Sequence, residues 1–395
     1  MTEVLVFSCM LASIVLFLTF ISLPSPLFDL MTIVKARHVR RLFWWYRAII
    51  PFYATLFRIA SYPEHIKRRY ISFIVRVLAP HFGPTPPEHW STFANTSYIP
   101  SVRTPFEPIM VLGDSDGRGN QPMSVRFSME LIDSANGLPM NPEECLATCR
   151  AIARRCDFIE GFDSSWLDVC YDTLVYHEWR NLKADHVPVN FFFGGEFTST
   201  GITTKFYFFP MIRARETGVD GMELVSQCMA HLGVGRQWET VTGFVNAHPE
   251  YNIYPEIVGI EGVVPTRNRV KVYLRLHQSH TSLADTVFYA TLGGVLKDDG
   301  VSDTVKALRM LWKLMFPGVR EDEVIQLKRP GTKGILVYFE IGLDRKGVIP
   351  KVYIPIYRYC QSDVQIARVI TEYYRLTRHG GEVEKNYDGH LRELL

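Results

Sequence analysis

The sequence predicts an α+β fold in which an antiparallel β-barrel is surrounded by helices, and three observations carry that prediction. First, Arg269-Val270-Lys271-Val272-Tyr273 sets polar side chains at every second position with valines between them. In a strand this makes one face cationic and phenolic and the other apolar. Second, the device recurs at Val125-Arg126-Phe127-Ser128, Lys205-Phe206-Tyr207-Phe208 and Lys351-Val352-Tyr353-Ile354, each beside a second strand across a short turn, which makes each pair antiparallel. Third, helical stretches separate the hairpins, so the order reads ααββ four times with a final αα. Helices covering the valine face and a polar lumen satisfy both faces at once, which a doubly wound parallel sheet would not.

The chain has 395 residues, of which 47% are hydrophobic, enough for a substantial core. Its 43 basic and 41 acidic residues leave a formal charge of +2, without the basic excess of a nucleic-acid binder. Seven cysteines give no disulfide framework, and Cys145, Cys149 and Cys156 fall on one helix face with no histidine nearby, as small core residues do.

Taken in order, residues 1–34 form a hydrophobic leader or a candidate transmembrane segment. Val4 to Leu23 is uncharged and about 20 residues long, the length a spanning helix needs. Lys35, Arg37, Arg40 and Arg41 follow it, which by the positive-inside rule leaves residues 35–395 as a cytoplasmic domain; a buried helix is the alternative. Helices are expected over about 39–60 and 63–80, closed by Pro84, Pro86 and Pro87. The first hairpin covers about 104–112 and 122–132, with the Asp/Gly run 113–120 as its turn; that run lacks the ligand spacing of a calcium loop.

Asn141-Pro142-Glu143-Glu144 opens a helix with an N-cap residue, a proline at the first position and early acids. A second helix follows near 164–182. The second hairpin is expected at 188–195 and 202–210, the third at 252–260 and 267–275, and the fourth at 333–342 and 349–357. Helical stretches lie between them at 219–247, 282–292 and 302–316. Gly233-Val234-Gly235-Arg236 lacks the Lys-Ser/Thr ending of a phosphate loop and reads as a helix terminator, and Asp298-Asp299 as a polar turn. His277 and His280 suggest no third metal ligand. Tyr338 and Tyr357 could face either way.

Cations converging on one cavity are costly unless an anion meets them, so Arg126, Lys205, Arg269 and Lys271 imply a multiply charged guest such as a diphosphate. Tyr207, Tyr273 and Tyr353 interleave with them, offering hydroxyl donors to phosphate oxygens and π faces to a carbocation. Diphosphate together with carbocation points to an allylic prenyl donor. No Asp-rich metal motif is present, so the basic side chains are expected to neutralise the leaving group without a metal or other cofactor.

These residues resemble the fungal dimethylallyltryptophan synthase class of aromatic prenyltransferases, whose fold is a barrel of five ααββ units. The resemblance runs from about Trp44 onward and rests on five stretches in order: Thr104-Pro105-Phe106-Glu107, Val125 to Ser128, Lys205 to Pro210, Arg269 to Tyr273, and Pro350-Lys351-Val352-Tyr353 with Asp363 beyond. It implies dimethylallyl diphosphate as donor and an indole acceptor of secondary metabolism. It also implies that Glu107 accepts the indole N–H, that Arg126, Lys205, Tyr207, Arg269, Lys271 and Tyr273 hold the diphosphate, and that Lys351 and Tyr353 complete the shield.

Two departures qualify that expectation. Tryptophan-prenylating members carry a catalytic lysine about 13 residues before the Lys205 position, where this chain has Phe192, so an acceptor other than free tryptophan, such as an indole terpenoid, or another proton route is expected. The family also ends in a fifth hairpin, whereas eight strands are counted here. The expected domain is therefore shortened at its C-terminal end, and a weakened or inactive enzyme is the alternative to an active one.

Overall fold

The computed structural model describes residues 26–83, 105–112, 123–133, 139–159, 161–178, 191–328, 334–344, 346–377 and 386–394. Eight strands form one sheet in which every neighbour is antiparallel and the order is that of the sequence. They are β1 (Phe106–Val111), β2 (Ser124–Met129), β3 (Phe191–Phe197), β4 (Ile202–Phe208), β5 (Tyr254–Glu261), β6 (Arg269–Arg275), β7 (Leu336–Gly342) and β8 (Ile349–Tyr353). Each falls within a few residues of its expected place. The 113–120 turn and the apolar run 4–23 lie outside the described residues; among those described, no helix is long and apolar enough to cross a membrane.

Helices α1 (Pro26–Ile59) and α2 (Glu64–Phe73) precede the sheet, and α1 runs straight through the expected boundary at residue 34. Between β2 and β3 stand α3 (Pro142–Arg155) and α4 (Ser165–Leu174). Asn141 caps α3 as expected, its side chain accepting the Glu144 N–H at 3.0 Å. Three helices rather than two fill the next gap: α5 (Pro210–Thr217), α6 (Gly221–His231) and α7 (Gly235–Ala247). Gly233, at φ +77°, ends α6 in the left-handed region open to glycine. After β6 come α8 (Leu283–Ala290) and α9 (Asp299–Met315), and after β8 come α10 (Asp363–Thr377) and α11 (Tyr387–Leu394). Asp298 does not make a turn: its carboxylate accepts the Val301 N–H at 2.8 Å and caps α9.

The two faces of the sheet divide as the alternation requires. Val270, Val272 and Leu274 of β6 and Val337, Phe339 and Ile341 of β7 are fully buried against the helices. Their in-between neighbours Arg269, Lys271, Tyr273 and Tyr338 face the other way. Among the described residues Trp45, Trp238 and Trp312 are the largest fully buried side chains, and Tyr70 of α2 donates to the carbonyls of Thr198 (2.6 Å) and Gly201 (2.8 Å) in the β3–β4 turn.

The sheet is curled rather than flat. At the ordinary strand spacing, β2 and β7 would stand roughly 24 Å apart in a flat sheet and β1 and β8 roughly 33 Å. Yet Arg126 on β2 acts electrostatically on Tyr338 of β7, and Glu107 on β1 acts on Tyr353 of β8. The inner faces therefore look at one another across a lumen. Among the described residues no strand pairs with the outer edges of β1 and β8, the seam of the sheet. α11 packs on α10, which follows β8, and reaches α1, whose Tyr53 ring meets Phe106 of β1, through an Arg58–Glu393 ion pair.

Candidate active site

The inner wall carries a belt of charges whose sign alternates from strand to strand. Arg126 of β2 lies 2.9 Å from Glu196 of β3, which lies 3.1 Å from Lys205 of β4. Lys205 lies 2.7 Å from Glu261 of β5, which lies 3.5 Å from Arg269 of β6. Arg269 in turn sits 3.0 Å from Glu340 of β7, and Glu340 3.2 Å from Lys351 of β8. Lys271 joins from β6, 3.8 Å from Glu261. The five cations expected from the sequence are thus brought together, but they are interleaved with three glutamates that were not among the expected site residues.

Among these eight side chains, five bases against three acids leave two positive charges. Burial opposes ionisation of all three acids, but the neighbouring cations outweigh it and hold each below the usual carboxylate range, Glu196 at about 2. Lys271 is pulled down to about 8, by burial first and then by Lys205. Lys205 is only 3% exposed, whereas Lys351 reaches solvent at the seam.

Beside the belt stand the phenols. Tyr273 and Tyr338 stack with ring centroids 4.5 Å apart, so Tyr338, left open by the sequence, faces the lumen, and Lys351 lies 5.9 Å from the Tyr338 ring centre. Burial pushes Tyr207 and Tyr338 up to about 12 and Tyr273 well above its ordinary value, so these three remain neutral O–H donors at ordinary pH, whereas Tyr353 on the edge strand β8 is 50% exposed. Tyr207 lies between two glycines: a Cβ at Gly194 would stand 3.2 Å from its ring, and one at Gly259 3.1 Å. The missing side chains let the ring lie against the wall.

Glu107 on β1 receives the Ser128 hydroxyl at 3.0 Å, and burial raises its pKa despite that bond. It faces the lumen within electrostatic reach of Tyr207 and Tyr353. Phe192 of β3, the register partner of Tyr207, sits in a separate apolar cluster with Phe209 and Ile212, against which Tyr176, Tyr207 and Ile257 pack. At the opposite end of the β6 row Arg275 is clasped by Glu256 and donates to the Gly334 carbonyl at 3.0 Å.

The remaining candidates stay structural. His277 bonds Ser279 in a turn, Cys145 and Cys149 are buried free thiols, and among the described residues no cluster of three or more His, Cys, Asp or Glu is arranged to hold a metal. The missed glutamates were open to the rule that found the cations. Glu340 stands two residues from Tyr338, Glu261 two from Gly259 and Glu196 two from Gly194, all at the strand period.

A model of one family, described as tryptophan dimethylallyltransferase, matches residues 42–389. The chain belongs to the tryptophan dimethylallyltransferase family. Members similar to it include a 7-dimethylallyltryptophan synthase of Aspergillus fumigatus, 27% identical over 89% of this chain and 78% of that protein. A 4-O-dimethylallyl-L-tyrosine synthase of Claviceps purpurea is 25% identical over 81% of this chain and 73% of that protein. Among solved structures, AnaPT from Neosartorya fischeri superposes with a TM-score of 0.70 at 18% identity, covering 86% of this chain and 82% of that one. NotF in complex with brevianamide F and DMSPP gives 0.69 at 18% identity, over 87% and 83%. The curled sheet inside its helices is thus the family's barrel, and this family member is a prenyltransferase.

Proposed function

We propose that this tryptophan dimethylallyltransferase-family protein transfers the dimethylallyl group of dimethylallyl diphosphate to the ring of an indole-containing acceptor, without a metal. The single observation that carries the reading is the belt. Arg126, Lys205, Arg269, Lys271 and Lys351 are gathered on one inner wall beside Tyr207, Tyr273, Tyr338 and Tyr353. The relatives' names supply the dimethylallyl group and an aromatic amino acid as acceptor, tryptophan in one and tyrosine in the other, and the indole reading follows the family's own description.

In the proposed sequence the bases and phenol hydroxyls hold the diphosphate, and the donor's C–O bond breaks with its electron pair leaving on the phosphate oxygen. Fixed charges and dipoles stabilise that developing negative charge without reorganising. The tyrosine faces shield the allylic cation from water. Glu107 accepts the acceptor's N–H, enriching the ring that attacks; a C–C bond forms and the ring proton is lost. Because residue 192 is phenylalanine in an apolar cluster, the ring proton passes instead to the released diphosphate, the base the reaction itself leaves in the site. The same greasy wall favours an acceptor larger and less polar than free tryptophan, an indole terpenoid among them.

The test is product formation by the full chain with dimethylallyl diphosphate and a panel of indoles, in excess chelator. A product heavier by one dimethylallyl group, absent from Arg269→Ala/Lys271→Ala, is expected. A folded protein that neither turns over nor binds the donor's unreactive thio-diphosphate analogue would leave only an inactive relative. The apolar run 4–23 is proposed to tether a cytoplasmic catalytic domain to a membrane. Fractionation of the chain with and without residues 1–34 tests this separately.

A further inference from the structure

We propose that Glu196, Glu261 and Glu340 are built-in counter-anions of the donor site, holding the phosphate-binding cations until the diphosphate takes their place and so setting how tightly it binds. The proposal rests on the donor-site reading above and extends it to residues that reading leaves without a role.

The glutamates are poorly placed to do anything else with the reaction. Each lies within 4 Å of two or more belt cations, Glu261 of three, and their side chains are 17%, 11% and 2% exposed. They cannot swing out into water when an anion arrives. An entering diphosphate therefore meets five cations and three fixed negative charges on the same wall. Each cation must turn from its carboxylate toward phosphate oxygen or be shared between the two.

Two net positive charges face an ester that carries about three negative ones once fully ionised. That balance takes Lys271 as charged; lying 3.8 Å from Glu261 and drawn towards neutrality by burial and by Lys205, it takes up a proton as the anion arrives, which restores the count of two rather than adding to it. The rival account makes the glutamates positioning residues that aim the cations at phosphate. The two accounts predict opposite signs. Removing a counter-anion strengthens donor binding, whereas removing a positioning residue weakens it.

The experiment is calorimetric binding of the thio-diphosphate analogue to the full chain and to Glu261→Gln and Glu340→Gln, at about pH 8 in two buffers of different ionisation enthalpy. The expected result is a Kd lower by about tenfold or more in at least one variant, the scale of one removed short-range repulsion, together with net proton uptake by the unmodified protein. Equal or weaker binding in every folded variant overturns the proposal. If neither variant folds, Glu196→Gln, the most exposed of the three glutamates, decides by the same sign: tighter binding supports the proposal, and equal or weaker binding overturns it. A native protein that binds no analogue at all refutes the donor-site reading itself, which is a different result from native binding that the variants fail to tighten.

Discussion

Lys205 and Glu261 are direct register partners on adjacent strands, with Nζ 2.7 Å from Oε1 and both side chains nearly withdrawn from water. A buried pair of this kind is costly to break from the lysine side, which leaves Glu261 only its longer contacts to Arg269 (3.5 Å) and Lys271 (3.8 Å), whereas neutralising Glu261 leaves Lys205 its 3.1 Å partner Glu196. Lys205→Ala is therefore a poor probe of donor binding, and substitutions nearer the seam or on Glu107 are more informative.

Glu107→Gln keeps the shape of the side chain and its contact with Ser128 while removing the charge. Turnover should fall about 10²–10³-fold, as when one aimed polar group is removed from an active site, while affinity for the thio-diphosphate analogue stays as it was. In the unmodified enzyme the acid limb of kcat/KM should lie above pH 4.5, since burial raises the Glu107 pKa and the role proposed for it requires the ionised form. A rate profile flat down to pH 4.5 would remove Glu107 from the chemistry.

Gly259→Ala places a methyl group 3.1 Å from the Tyr207 ring, on the wall where that ring lies flat. Overpacking of this kind costs about 1–3 kcal/mol of stability. It should lower kcat more than donor affinity, because the phenol is displaced while the belt is untouched. Thermal unfolding together with kcat and Kd separates the two effects.

Acid should weaken the fold through the belt. Glu196, Glu261 and Glu340 have folded pKa values below their ordinary 4.5, so they bind fewer protons than the unfolded chain does. Their stabilisation is present above that value and is lost as pH falls towards about 2, where Glu196 protonates. That residue alone accounts for roughly 3 kcal/mol. Denaturant midpoints measured from pH 6 downward should show the decline, and Glu196→Gln should flatten it.

Phe192→Lys puts an amine into the apolar cluster of Phe209 and Ile212. Desolvation there favours the neutral amine, which can accept a proton. The variant should be less stable by about 2–5 kcal/mol, the range for loss of a buried aromatic or a burdened core site. Its products should shift towards free tryptophan as acceptor, measured as the ratio of prenylated tryptophan to the best bulky indole product. An unchanged ratio would separate residue 192 from acceptor choice.

Strands and lumen were legible in the sequence because a period of two with valine between bases admits few other readings. Arg269, Lys271 and Tyr273 announce an inward face without reference to anything distant. The glutamates follow the same period but look ordinary singly. Glu340 gains meaning only when Arg269, 71 residues away, is seen 3.0 Å from it. The sign of a field inside a barrel depends on every strand at once, and local pattern cannot supply it. Asp298 is ambiguous for a related reason: a cap and a turn begin with the same residues, and the 17-residue helix that follows decides between them.

The alternating belt has one more consequence, for heredity rather than chemistry. From β2 to β8 each strand offers one charge to the next, opposite in sign, so the sequence of signs also spells out which strand lies beside which and in what register. A slip by one residue would turn that charge outward into the apolar helices. A lineage drifting towards a new donor thus cannot rewrite one letter of the site freely, because the same letter proofreads the assembly of the barrel.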